Sequence, residues 1–326
     1  APLVITKTVT LTGGSIIASD SFNANSNELA VANLVSLKTA DKTLTLKDIT
    51  LNGNGKALVV YSNAGKVVVD GATITGGKTN SSVAGVYMTN ASEFEMTSGS
   101  ISSNEVGKTD YSKYAADLWV GANAKATLSG GKIDNIFVNA NSFSENNPGY
   151  FKMQDGHVTN LYAEYYENYG ATVIYDGGTL DNLYISTTAS NGACENVTPV
   201  AGMTYKGGQT DEAALTPVAE IDAKKFTSLA DAIATATADN KTVILLKDVT
   251  EDVVIPSDKT VTLNLNGKKL TNVSSDTITV ANGANLTITG EGTVDNVTHG
   301  KADIYNNGTV ILNGGNYTRS HEAKNT

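Results

Sequence analysis

Residues 94–101 read FEMTSGSI, 126–133 read ATLSGGKI, 151–158 read FKMQDGHV and 173–180 read VIYDGGTL. Each stretch is apolar-x-apolar, then two or three polar or glycine positions, then an apolar residue. That alternation puts one set of side chains on one face of a strand. The glycines fall where a sharp corner demands positive φ. The unit also begins at Val9 (VTLTGGSI), Leu44 (LTLKDITL) and Val67 (VVVDGATI), with a partial copy at Met203 (MTYKGG). It returns at Val261, Leu286 and Val310. Most starts lie 22 to 27 residues apart. A period in the low twenties with two or three short strands per unit marks a solenoid. Leucine-rich repeats share the length but need a Leu/Asn framework that is absent. No 3.6-residue periodicity runs between Leu44 and Val200. Each unit is therefore expected to be one coil of a β-helix, with equivalent residues of successive coils about 4.8 Å apart.

Between these units, five triplets set one aromatic residue between apolar neighbours. They are Val86-Tyr87-Met88, Leu118-Trp119-Val120, Ile136-Phe137-Val138, Leu161-Tyr162-Ala163 and Leu183-Tyr184-Ile185. Met88 lies six residues before Phe94, Val120 six before Ala126, and Val280 six before Leu286. Constant spacing of this kind predicts stacking in register. Inward aliphatic flanks then put the rings outward, in a column of roughly 19 Å. Above Tyr87 the column is expected to continue only as Val60, and the later coils carry Thr279 in its place. A bare patch of this size marks an interaction site. The competing reading is packing, as an internal stack or beneath inserted loops. Three insertions flank the column: 102–116 with Tyr111 and Tyr114, 139–150, and 164–170 with Tyr165, Tyr166 and Tyr169.

The repeat pattern resembles that of the right-handed parallel β-helix proteins of pectate-lyase-like architecture, over about 9–209 and again 242–320. The resemblance implies an all-β, right-handed parallel β-helix (β-solenoid), in line with the general hand of parallel crossovers. It extends to no catalytic signature. Pectate-lyase-like enzymes rely on an arginine near acidic calcium ligands, and the chain's only arginine is Arg319. Paired aspartates with Gly-His-Gly are missing too; Gly156-His157-Val158 comes nearest.

Two modules are expected. Residues 1–210 form a β-helix with the aromatic column, and residues 19–33 serve as an N-terminal cap or irregular coil. The pattern lapses around 209–217, and a second module opens over 217–326. There Ser228-Leu-Ala-Asp231 is a weak capping box. Leu229, Ala232, Ile233 and Ala236 share a helical face, predicting a short capping helix over about 228–239 before roughly three further coils. Such an opening resembles β-helix modules of large secreted Gram-positive surface proteins, and the natural protein is expected to continue beyond Thr326.

The chain has 326 residues and a formal net charge of -10. An acidic balance disfavours nucleic acid and anionic membranes as partners. No segment approaches the roughly 18 apolar residues of a membrane span. Cys194 is the only cysteine, which excludes a disulfide framework. No RTX repeat, EF-hand loop, P-loop or zinc motif appears, so neither metal nor cofactor is expected. Thr- and Asn-rich, nearly Cys-free composition points to a bacterial secreted or cell-surface protein.

Asn135, Asn160 and Asn182 each stand two residues before a column ring, and Asn296 holds the matching place after Val294. They read as a stacked asparagine ladder at a coil corner. Lys132, His157 and Thr179 fall in one column, with Asp134, Thr159 and Asp181 in the next. Asp134 and Asp181, two coils and about 9.6 Å apart, suit an inverting glycosidase, and Lys132 or His157 suits a lyase base. The alternative is a solvated polar face. The leading expectation is a non-catalytic, adhesin-like module binding an extracellular protein or glycan through Tyr87, Trp119, Phe137, Tyr162 and Tyr184, with Tyr165, Tyr166 and Tyr169. In that reading Trp119→Ala abolishes binding and leaves the fold intact. A polysaccharide-active enzyme and a passive stalk are the alternatives.

Overall fold

The computed structural model describes the chain except for residues 1, 23–32, 81–82, 141–146, 188–193, 210–215, 223, 237–240 and 322–326. Most of the expected N-terminal cap, residues 23–32, and the heart of the 139–150 insertion therefore lie outside the described residues. The chain divides into two compact units, residues 1–210 and 211–326. Both are parallel β-helices, built from strands that pair with their equivalents one coil away.

In the first unit each coil has three faces. On the first face, Val35, Val60, Val86, Leu118, Ile136, Leu161 and Leu183 stack in register. On the second, Val9, Leu44, Val67, Phe94, Ala126, Phe151 and Val173 do the same. On the third, Ile16, Leu51, Ile74, Ile101, Ile133, Val158 and Leu180 stack. The three apolar ladders meet along the axis and are almost wholly buried from Val35 down. Full burial of each such side chain stabilises by about 1.5–3 kcal/mol. The corner between the second and third faces needs positive φ, and Gly131, Gly156 and Gly178 supply it at 87°, 95° and 84°. A Cβ at Gly156 would lie 2.7 Å from the Gly131 carbonyl oxygen, so the corner excludes side chains.

The partial repeat at Met203 is not a further parallel coil. Met203–Lys206 runs antiparallel to Thr172–Tyr175, and Cys194–Val197 runs antiparallel to Thr179–Ser186. Alternation is the same in both directions, so the residue pattern alone does not reveal the reversal. The returning strands pair the edge that the last coil would otherwise leave bare.

The second unit opens with a hairpin, Ala219–Ile221 against Lys224–Phe226. Helix α1 follows over Leu229–Thr235. It buries Leu229, Ala232 and Ile233, the apolar face seen in the sequence. Its described length is shorter than the expected 228–239, with Ala236 as C-cap. Ser228 accepts the Asp231 amide hydrogen at 3.3 Å. Glu251, from a later strand connection, accepts the amide hydrogens of Leu229 at 3.0 Å and Ala230 at 3.2 Å. A carboxylate at a helix N-terminus satisfies free donors and meets the positive end of the dipole. Glu251→Ala is expected to destabilise this unit by about 1 kcal/mol, with Glu251→Gln recovering part of it. Chemical denaturation checks this; an unchanged midpoint in Glu251→Ala would remove the cap from the account. A coil over 242–255 follows, paired in parallel with the next, and then three more with Val261, Leu286 and Val310 in register.

Candidate binding site

The outward positions of the first face align as Ser36, Tyr61, Tyr87, Trp119, Phe137, Tyr162 and Tyr184. The predicted stacking of the five rings is present. Successive centroids are 5.7 Å apart for Tyr87–Trp119, 5.0 Å for Trp119–Phe137 and 4.9 Å for Phe137–Tyr162. Val60 does not continue the column. It points inward beneath Val86, and its neighbour Tyr61 supplies a sixth ring, 5.5 Å from Tyr87. These are distances at which edge-to-face and offset stacking are favourable.

The expectation of an exposed stripe needs correction in its middle. Phe137 is 1% exposed and Tyr162 0%. The insertion at 102–116 covers them. Its 3-10 turn, Tyr111–Ala115, places the Tyr114 ring 4.8 Å from Tyr184 and 6.3 Å from Tyr162, nearly parallel to both. Ala115 joins Phe137, Tyr162 and Tyr61 in one buried cluster, with Tyr87, Tyr114, Trp119 and Tyr184 packed against it. The column is thus a second hydrophobic core, outside the coil, in which Tyr61, Phe137 and Tyr162 are buried and Tyr87, Trp119 and Tyr184 are half-buried. Trp119 sits between two rings, so the expectation that Trp119→Ala leaves the fold untouched gives way. That truncation should cost roughly 2 kcal/mol. Lys38 Nζ lies 5.5 Å from the Tyr61 centroid, and Lys113 Nζ 5.1 Å from that of Tyr114. Burial pushes the Tyr87 phenol above its usual range, and burial with the neighbouring Tyr87 does the same to Tyr61.

Tyr165, Tyr166 and Tyr169 lie on a small antiparallel hairpin and are half-buried. Among the described residues they belong neither to the column nor to the cluster around it. Tyr165 instead packs against Gly208, where an added Cβ would lie 2.6 Å from its ring.

The asparagine ladder forms as expected. Asn182 Nδ2 donates to Asn160 Oδ1 at 3.2 Å, and Asn160 Nδ2 to Asn135 Oδ1 at 3.0 Å. Asn135 Nδ2 then donates to Asp117 Oδ2 at 2.7 Å. A carboxylate closes this chain well, because it accepts and has nothing left to donate. Asp117 Oδ1 accepts from Asn104 Nδ2 at 2.8 Å. Asn104 and Asp117 stand at opposite ends of the inserted segment, so this contact clamps its base. Asp117 is 0% exposed. Burial raises its carboxyl to about 6, against the lowering pull of the Asn104 and Asn135 hydrogen bonds. In the second unit Asn296 uses Nδ2 differently, toward Thr277 Oγ1 at 3.1 Å and the carbonyls of Ser275 and Ala302.

The polar cluster pairs off among its own members. Lys132 Nζ lies 2.9 Å from Asp134, and His157 Nε2 lies 2.8 Å from Asp181. Hydrogen bonding and charge from Asp134 hold Lys132 above its usual range. A lyase base must give up its proton near neutrality, and Lys132 is moved the other way.

Sequence reasoning missed Tyr61 and Asp117, and it placed Tyr114 beside the column without its stacking on Tyr162 and Tyr184. Asp117 had a signal: it precedes Trp119 by two residues, the spacing of the ladder asparagines. Tyr61 lacked one because Ser62 follows it in place of an apolar flank. Tyr114 sits in an insertion with no strand pattern. No family model, curated protein or solved structure matches the chain.

Proposed function

We propose that this chain is a non-catalytic binding module of a secreted or cell-surface bacterial protein. Its ligand is an extracellular glycan or glycoprotein, held at the half-buried rings of Tyr87 and Trp119. The observation that carries the reading is the column itself. Six outward rings in register exceed what the coil needs, since the inward ladders already fill its interior. The insertion seals only the middle. Tyr and Trp offer flat apolar area with a polar edge, which suits sugar faces and protein side chains alike. Lys38 adds a cationic rim beside Tyr61.

The test is binding of the labelled chain to an array of glycans and glycoproteins, with Trp119→Phe and Tyr87→Ala in parallel. Trp119→Phe preserves most of the packing, so a lost signal there is not a folding defect. The expected result is saturable binding weakened roughly tenfold in each variant, the scale of a central aromatic contact. A passive spacer is favoured by one observation, the complete burial of Phe137 and Tyr162. Absence of any saturable partner would transfer the column to that reading.

A further inference from the structure

The chain contains only three histidines, and two of them meet. His299 and His321 stand on successive coils of the second unit, their ring centroids 5.4 Å apart at 71°. The backbone brings them there. Asn296 pairs with Arg319, and the Ser320 amide donates to the Asn296 carbonyl at 3.1 Å. His299 then follows Asn296 by three residues and His321 follows Arg319 by two. His321 Nδ1 is enclosed and makes no hydrogen bond. A buried ring nitrogen in that condition is costly and calls for a partner. His299 is exposed.

We propose that His299 and His321 together bind a divalent transition-metal ion of the Zn2+ class, linking the last described coil to the one above. Imidazole is a preferred ligand for zinc, copper and nickel. With Zn–N bonds of about 2.0–2.1 Å, each ring centre lies about 3.2 Å from the ion, and a tetrahedral angle then separates the centres by about 5.2 Å. The observed separation is 5.4 Å. The spacing of the ring centres therefore matches that of two imidazoles on one ion. Among the described residues no group of three or more His, Cys, Asp or Glu gathers as a metal site. Solvent reaching the ion from the exposed His299 side therefore completes the coordination, and affinity is below that of a closed structural site. This inference stands apart from the aromatic column and does not depend on it.

The experiment is calorimetric titration of the full chain with ZnCl2, repeated on His299→Ala, His321→Ala and His157→Ala, each checked for native circular dichroism. The expected result is one Zn2+ per chain in the native protein and in His157→Ala. Affinity falls roughly tenfold or more in either of the other two variants. Each truncation removes an exposed or half-buried ring at a coil corner, so the fold should persist. Two results overturn the proposal. One is no saturable Zn2+ binding by the native chain. The other is binding that survives both single substitutions, or that depends equally on His157.

Discussion

Tyr162→Ala lowers the stability of the first unit by about 3–5 kcal/mol, the range for truncating a large buried aromatic. The size of the effect follows from where the ring lies. Tyr162 points away from the coil interior, and on the coil alone it would be a surface residue. It is fully buried because Phe137 stacks on one side and Tyr114 closes over it. Truncation opens a cavity between the coil and the insertion that covers it. Tyr114→Ala provides the comparison. Its ring is only half-buried, and its loss should cost about 1–2 kcal/mol while uncovering Tyr162 and Tyr184. Urea denaturation of both variants separates the cases. A cost below about 1 kcal/mol for Tyr162→Ala would mean the insertion does not pack on the column in solution.

The second large effect is a dependence on pH with an unusual sign. Asp117 has a folded value of about 6, raised chiefly by burial, against roughly 3.9 in an unfolded chain. Between those values the native state holds more protons than the unfolded state. Stability of the first unit therefore rises as pH falls through 6 toward 4, by up to about 3 kcal/mol from this group. Above pH 6 the contribution is absent, because folding then carries the cost of a buried charge. Asp295 in the second unit has the opposite sign. Burial alone would raise it, but Lys269 at 2.7 Å and the hydroxyls of Ser320 and Thr318 outweigh that and lower it to about 2. Its contribution is present above about pH 4 and is lost as pH falls toward 2. Thermal melts from pH 7 to pH 4 on the native chain and Asp117→Asn isolate the first effect. The native-minus-variant difference should grow in favour of the native chain as pH falls. A difference that is flat or of opposite slope would contradict the buried-charge account.

The coil was legible in the sequence because its determinants are local. Apolar alternation, a glycine corner and a constant step from Val120 to Ala126 give strand, turn and register without knowledge of any distant contact. The ladder from Asn135 to Asn182 was legible for the same reason, and Asp117 obeyed the same spacing. Exposure was another matter. Whether Phe137 faces water depends on Tyr114 and Ala115, which approach it from an insertion with no periodicity. The antiparallel return at Met203 was hidden because strand direction leaves no mark on alternation. His299 and His321 were hidden because they lie in turns, where only the folded register shows that they meet.

Trp119 is the only tryptophan in the chain, and it is one of the half-buried rings of the column. Its emission is therefore a built-in reporter of the proposed site. The most direct measurement is a titration of the native chain with the glycan or glycoprotein retained on the array, following Trp119 emission. The account predicts a saturable change whose midpoint matches the affinity found on the array. Saturable binding with no change in Trp119 emission would place the ligand elsewhere and contradict it.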